Sequence, residues 1–284
     1  MKKTVVITGA SDGVGAEAAR ALVAHGHHVV IVGRAPDKTR AVAAAIGSDH
    51  HVADFAELAQ VRQLAGALRD RYVRIDVLAN NAGGLFDKAR TTDGHDKNFQ
   101  VNHLAPFLLT NLLIEMLTTS RAAVIQTASR VAKRIGSIDI EDLDHSGTDN
   151  TYNAIKAYSD AKLENILFTK ELQRRHGPRG ISAAAFHPGN VASSFASDTS
   201  SSWRFVYNTP LRHVMLISPR RAAQRLVWLA QGQPGQDWQP GEYYEKNKIA
   251  PTNPQAADDA LAADLWQRST HMVSLDGSLS PPKT

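Results

Sequence analysis

The stretch TVVITGASDGVGAEAARAL, residues 4 to 22, decides how the whole chain is read. TVVIT is apolar on both faces, the pattern of a strand buried inside a parallel sheet. Gly9, Gly13 and Gly15 follow with GxxxGxG spacing, and AEAARAL then has the composition of a helix. Glycine at these points lets the backbone turn sharply and approach a pyrophosphate, while the free N–H groups at the helix start offer it partial positive charge. Glycine-rich turns between strand and helix are common, so the trio alone says little. Placed between a strand and a helix at the first βα unit, it reads as a dinucleotide-binding loop, with Ser11, Asp12 and Val14 filling the turn.

Working outward, the same alternation continues. Apolar runs HVVIVG (28 to 33), HHVADF (50 to 55), IDVLANNAG (75 to 83), AAVIQTAS (122 to 129) and ISAAAFHPG (181 to 189) are each separated by a helical pattern. Such units join by right-handed crossovers. The expected fold is therefore α/β: a Rossmann-type, doubly wound parallel sheet with helices on both faces, in a single domain over residues 1–276. SSFASDTSSSW (193 to 203) is Ser-rich and opens an expected substrate loop, about 193–218. A helix PRRAAQRLVWLAQG, the segment WQPGEYYEK and a second helix near 255 to 271 follow, and 277–284 is expected to be a disordered tail.

Composition narrows the function classes. Of 284 residues, 43% are hydrophobic and 21% charged, enough to bury a large core. The net charge of +4 comes from 32 basic and 28 acidic residues that are interspersed, so no cationic stripe for nucleic acid is expected. No cysteine is present, which excludes disulfides and thiolate chemistry and agrees with a reducing cytoplasm, the expected location. No run approaches the roughly 18 apolar residues of a membrane span. His25, His27 and His28, with His50 and His51, lie in or beside loops entering successive strands, without a regularly spaced carboxylate, so no metal site is expected.

The end of the second strand bears on the cofactor. An NAD-preferring fold places a carboxylate there for the ribose hydroxyls. Here Gly33 and Arg34 occupy that place, and a guanidinium fork suits a 2′-phosphate. NADP(H) is favoured, with NAD(H) left open, because Asp12 in the glycine loop counts against the phosphate.

TGASDGVG (8 to 15), NNAG (80 to 83), Asn102 in FQVNHLAPF, Ser129 in QTAS, YSDAK (158 to 162) and HPGNV (187 to 191) together resemble the short-chain dehydrogenase/reductases in order and spacing over residues 4 to 193. KAYSDAKLENILFTKEL and SIDIEDLD are most similar to the retinol-dehydrogenase-like branch. The resemblance implies a catalytic tetrad of Asn102, Ser129, Tyr158 and Lys162. Tyr158 would be the acid/base, and Lys162, one helical turn on, would favour its phenolate and hold the nicotinamide ribose. Ser129 would orient the substrate oxygen, and Asn102 would hold a relay water. Asp54 and Phe55 would meet the adenine, Asn81, Ala82 and Gly83 the adenosine ribose side, and Pro188, Gly189, Val191 and Ser193 the nicotinamide carboxamide.

The implied activity is interconversion of a carbonyl and an alcohol. Phe86, Phe195, Trp203, Phe205 and Tyr207 are expected to wall the pocket, which suits a hydrophobic small-molecule substrate. A catalytically silent NADP(H)-binding sensor or scaffold is the rival, and it predicts erosion of the tetrad. VNHLAPFLLTNLLIEML reads as a packed helix with apolar excess. The family resemblance implies that this helix and the Tyr158 helix can form a homodimer bundle, and the oligomeric state is left open.

Overall fold

The structure is a computed structural model that describes residues 2–146, 151–191 and 217–275. Seven parallel strands run β1 (Thr4–Thr8), β2 (His28–Gly33), β3 (Asp49–Val52), β4 (Val77–Asn80), β5 (Ala123–Thr127), β6 (Ser182–His187) and β7 (Tyr243–Glu245), and β8 (Lys248–Ile249) adds an antiparallel edge. Their spatial order is β3-β2-β1-β4-β5-β6-β7-β8. The order reverses between β1 and β4, so the loops leaving these two strands diverge and open a crevice at the carboxyl edge.

Side chains alternate across the sheet and bury two cores. Val5 and Ile7 pack with Ala18, Ala19 and Leu22 of α1 (Gly13–Ala24) and Leu226 of α9 (Pro219–Gln231), while Val6 and Val30 face the opposite layer. That layer includes α3 (Leu58–Arg71), α5 (Ala105–Leu112), α8 (Ala154–His176) and α10 (Asp259–Met272). α2 (Pro36–Ile46) follows β2 and ends at Gly47, whose φ of 65° explains the glycine.

Two local departures from the sequence reading have physical causes. The third strand stops at Val52 because Asp54 accepts a hydrogen bond from Ala56 N–H, an Asx turn that bends the chain off the sheet. The long apolar helix is broken into α4 (Lys97–Phe99), a π-turn over Gln100–Leu104, α5 and α6 (Ile114–Thr119). Pro106 has no N–H to give to the Asn102 carbonyl four residues back, so the regular ladder cannot close there.

α10 covers the faces of α5 and α8 named above as a candidate dimer bundle. Trp266 packs edge-on against Phe107 and tilted against Phe168 at centroid distances of 5.1 and 5.6 Å, and 15 of the 23 residues of α8 are buried. Among the described residues, no helix is long and apolar enough to cross a membrane.

Candidate active site

The glycine loop is shaped by contacts that exclude side chains. Gly9 has φ of 64°, and a Cβ there would stand 2.7 Å from Ala82 Cα. At Gly15 it would stand 2.4 Å from the Gly9 carbonyl oxygen, so Gly15 packs the loop on itself and lies behind the cavity wall. Asp12 caps α1, its carboxylate accepting from Gly13 N–H at 2.7 Å. Thr8 Oγ1 accepts from the N–H groups of Asn81 and Ala82, both at 3.0 Å, and Asn81 Nδ2 donates back to the carbonyls of Thr8 and Gly9. The ends of β1 and β4 are thereby laced together at the switch point.

A single cavity of about 450 Å³ runs along this edge. At one end stand Ser11, Arg34, Asp54 and Phe55; in the middle Gly9, Asp12, Gly13, Val14, Asn81, Ala82 and Gly83; at the far end Ser129, Tyr158, Lys162, Pro188, Gly189 and Val191. Gly33 is needed beside Arg34, since a Cβ would meet Thr39 Oγ1 at 2.3 Å and Ser11 Cβ at 2.7 Å. Asn102 lies behind the wall, and Ser193, Phe195, Trp203, Phe205 and Tyr207 lie outside the described residues.

At the far end, Tyr158 and Lys162 share a face of α8, with Nζ 5.5 Å from the tyrosine ring centroid. Lys162 is 2% exposed and donates to the Thr127 carbonyl at 3.0 Å. Burial pushes its ammonium down to about 7. Ser129 follows β5 by two residues and faces the same space. The Asn102 amide is spent on structure: Nδ2 donates to the carbonyls of Gly84 (2.9 Å) and Asn98 (2.8 Å), and Oδ1 accepts from Gly84 N–H (3.1 Å). The Asn102 backbone carbonyl accepts from Asn165 Nδ2 at 2.9 Å. Gly83 permits this packing, since a Cβ there would be 2.5 Å from Asn102 Oδ1 and 3.1 Å from Lys162 Nζ.

The sequence reading missed several wall residues. Leu85, Val131, Ile135 and Ile155 line the Tyr158 end with Phe86, so among the described residues that end is more aliphatic than aromatic. Val131 belongs to a short helix, α7 (Val131–Arg134), which only its position after QTAS could have suggested. His187 also lines the cavity, with both ring nitrogens buried and without a hydrogen-bond partner among the described residues, and burial beside Arg130 and Arg225 pushes it down to about 3. The HPG motif contained it, yet only its proline and glycine were singled out.

These walls fit a nicotinamide dinucleotide. Backbone rather than side chain faces the middle of the cavity, a helix N-terminus borders it, and a cation stands at one end with a phenol–ammonium pair at the other. No cluster of three or more potential metal ligands occurs among the described residues.

Comparison with known proteins bears on the same residues. The short chain dehydrogenase family model matches residues 3–138. A Streptomyces sp. (strain C5) protein named as a daunorubicin C-13 ketoreductase, DnrU, is 41% identical over 95% of this chain and 92% of its own. Human retinol dehydrogenase 13 is 35% identical over 96% of this chain and 85% of its own. A solved structure of an uncharacterized Mycobacterium paratuberculosis protein superposes with a TM-score of 0.75 at 30% identity, covering 96% of this chain and 93% of that one. With this sequence similarity running nearly end to end over a doubly wound sheet, the chain belongs to the short-chain dehydrogenase/reductase family of oxidoreductases, in its retinol-dehydrogenase-like branch.

Proposed function

We propose that this chain is an NADP(H)-dependent oxidoreductase that interconverts an aldehyde or ketone with its alcohol, Tyr158 acting as acid/base. The observation that carries the reading is the buried Lys162 ammonium beside the Tyr158 ring, at the end of the cavity that the glycine loop begins. When bound, the cofactor supplies or accepts the hydride. The chain's own residues do the rest.

In the reductive direction Tyr158 gives its phenolic proton to the developing alkoxide. A phenol with an ordinary pKa near 10 is a reluctant acid/base at neutral pH, and the neighbouring ammonium stabilises the phenolate. Because burial holds Lys162 near 7, it is partly protonated at neutral pH and can return a proton to the pair. Ser129 donates a hydrogen bond that orients the substrate oxygen toward Tyr158.

The glycine loop, Gly9 to Gly15 with Ser11, Asp12 and Val14, receives the pyrophosphate, and Arg34 receives the 2′-phosphate. Asp54 and Phe55 take the adenine, and Asn81, Ala82 and Gly83 its ribose. Lys162 takes the nicotinamide ribose, and Pro188, Gly189 and Val191 the carboxamide. Asn102 acts from behind the wall. Leu85, Phe86, Val131, Ile135 and Ile155 exclude water and favour an apolar substrate. The names of two relatives, a ketoreductase and a retinol dehydrogenase, support the carbonyl–alcohol pair.

The test is cofactor oxidation by the purified chain with NADPH and, separately, NADH across apolar aldehydes and ketones. Turnover with NADPH is expected. Tight NADPH binding without turnover on any substrate favours a cofactor-binding sensor.

A further inference from the structure

Lys162 reaches its place through a carbonyl that it shares. Nζ donates to the Thr127 carbonyl at 3.0 Å, and Asn165 Nδ2 approaches the same oxygen at 3.5 Å while donating to the Asn102 carbonyl at 2.9 Å. The Asn102 carbonyl is available because Pro106, four residues on, has no N–H to close the helical bond. Asn165 is 2% exposed and stands three residues after Lys162, on the same face of α8. One amide therefore lies between the carbonyl that holds the ammonium and the Asn102 carbonyl.

Away from the cavity, the His103 ring lies near Asn165, but Asn165 Oδ1 and His103 Nδ1 are buried without a hydrogen-bond partner among the described residues. His103 Nε2 lies 3.0 Å from Ser269 Oγ of α10, and both residues are fully buried. Burial, reinforced by the Lys162 charge, pushes His103 down to about 3, so the ring stays neutral and offers one donor and one acceptor. Phe99, Phe107 and Phe168 surround it with ring centroids at 5.6, 6.1 and 6.1 Å.

We propose that Asn165 is a positioning residue for the reaction, fixing the Thr127 and Asn102 carbonyls so that the Lys162 ammonium stays beside Tyr158. The inference rests on the oxidoreductase reading above. An aliphatic side chain at 165 leaves the Asn102 carbonyl bare and removes the amide beside the Thr127 carbonyl, which then no longer holds the ammonium in one place.

The test uses the full chain carrying Asn165→Leu or Asn165→Asp. Four quantities are followed: kcat against pH, NADPH Kd, thermal midpoint, and the titration of Lys162 by NMR of labelled lysine. Asn165→Leu is expected to lower kcat about tenfold and displace a limb of the pH profile by about one unit, with Kd unchanged. A lowered thermal midpoint with kcat and the profile unchanged, per folded molecule, overturns the proposal in favour of a purely structural amide. If Asn165→Leu does not fold, Asn165→Asp decides: its carboxylate should raise the Lys162 titration, and an unmoved titration overturns the proposal. If the unsubstituted chain turns over no substrate, the oxidoreductase reading fails by itself. The Lys162 titration then stands alone, supporting the proposal if the variants displace it and overturning it if they do not.

Discussion

The two halves of the crevice are built from different materials. Around β1, β2 and β4 the wall is mainly backbone: Gly9, Gly15 and Gly33 sit where a Cβ would collide, and Thr8 and Asn81 lace the loops together. Around β5, α8 and β6 it is made of proton-bearing side chains resting on buried polar groups, with Lys162 on Thr127 and Asn165 on Asn102. The first half can recognise a ligand by close approach, and the second can move a proton. Substitutions in the first should therefore act on cofactor binding and folding, and those in the second on turnover.

The largest effect expected is from Tyr158→Phe, which should lower kcat by about 10²–10⁴-fold in steady-state assays while NADPH Kd stays near its original value. A parallel loss of binding would blur the distinction between the halves. Arg34→Gln should weaken NADPH by about 10–100-fold in a fluorescence titration and leave NADH nearly unchanged, the loss of charge-assisted bonds to the 2′-phosphate. Equal weakening of both would remove Arg34 from the phosphate site. Gly9→Ala, which forces a Cβ toward Ala82 at positive φ, should cost about 1–3 kcal/mol in chemical denaturation and impair nucleotide binding.

Acid should act on the proton-bearing half. His103 and His187 are held down to about 3 by burial, against an ordinary value of 6.5. The unfolded chain takes up their protons as pH falls through 6.5, while the folded chain does not until near 3. Their contribution to stability is therefore complete above pH 6.5 and lost between 6.5 and 3, each at up to about 1.4 kcal/mol per pH unit. Denaturation midpoints measured across that range should flatten in His187→Gln. The smallest effect concerns assembly: because Trp266 and α10 cover α5 and α8, sedimentation should report a mass that does not rise with concentration through a dimer on that face.

The same contrast explains what could be read in advance. The glycine loop and the Tyr158–Lys162 pair are local patterns, spaced within one turn or one loop, so residue type and interval reveal them. The His103–Ser269 contact joins positions 166 residues apart and the Asn165–Asn102 contact positions 63 apart, and no periodicity encodes either. Nor did VNHLAPFLL disclose the π-turn as it read, although Asn102 and Pro106 at i and i+4 were the signal. His187 escaped because a histidine at a strand end is ordinary until its lack of partners among the described residues is seen. β8 and α7 were missed as elements too short to carry a pattern.

The most direct test of the account follows the hydride itself. The chain is incubated with NADPH deuterated at either face of C4 and an apolar ketone that it turns over, and the alcohol is analysed by mass spectrometry and NMR. The account predicts one deuterium at the carbinol carbon from one labelled face and none from the other. Cofactor consumption with no deuterium in the alcohol from either face would contradict it.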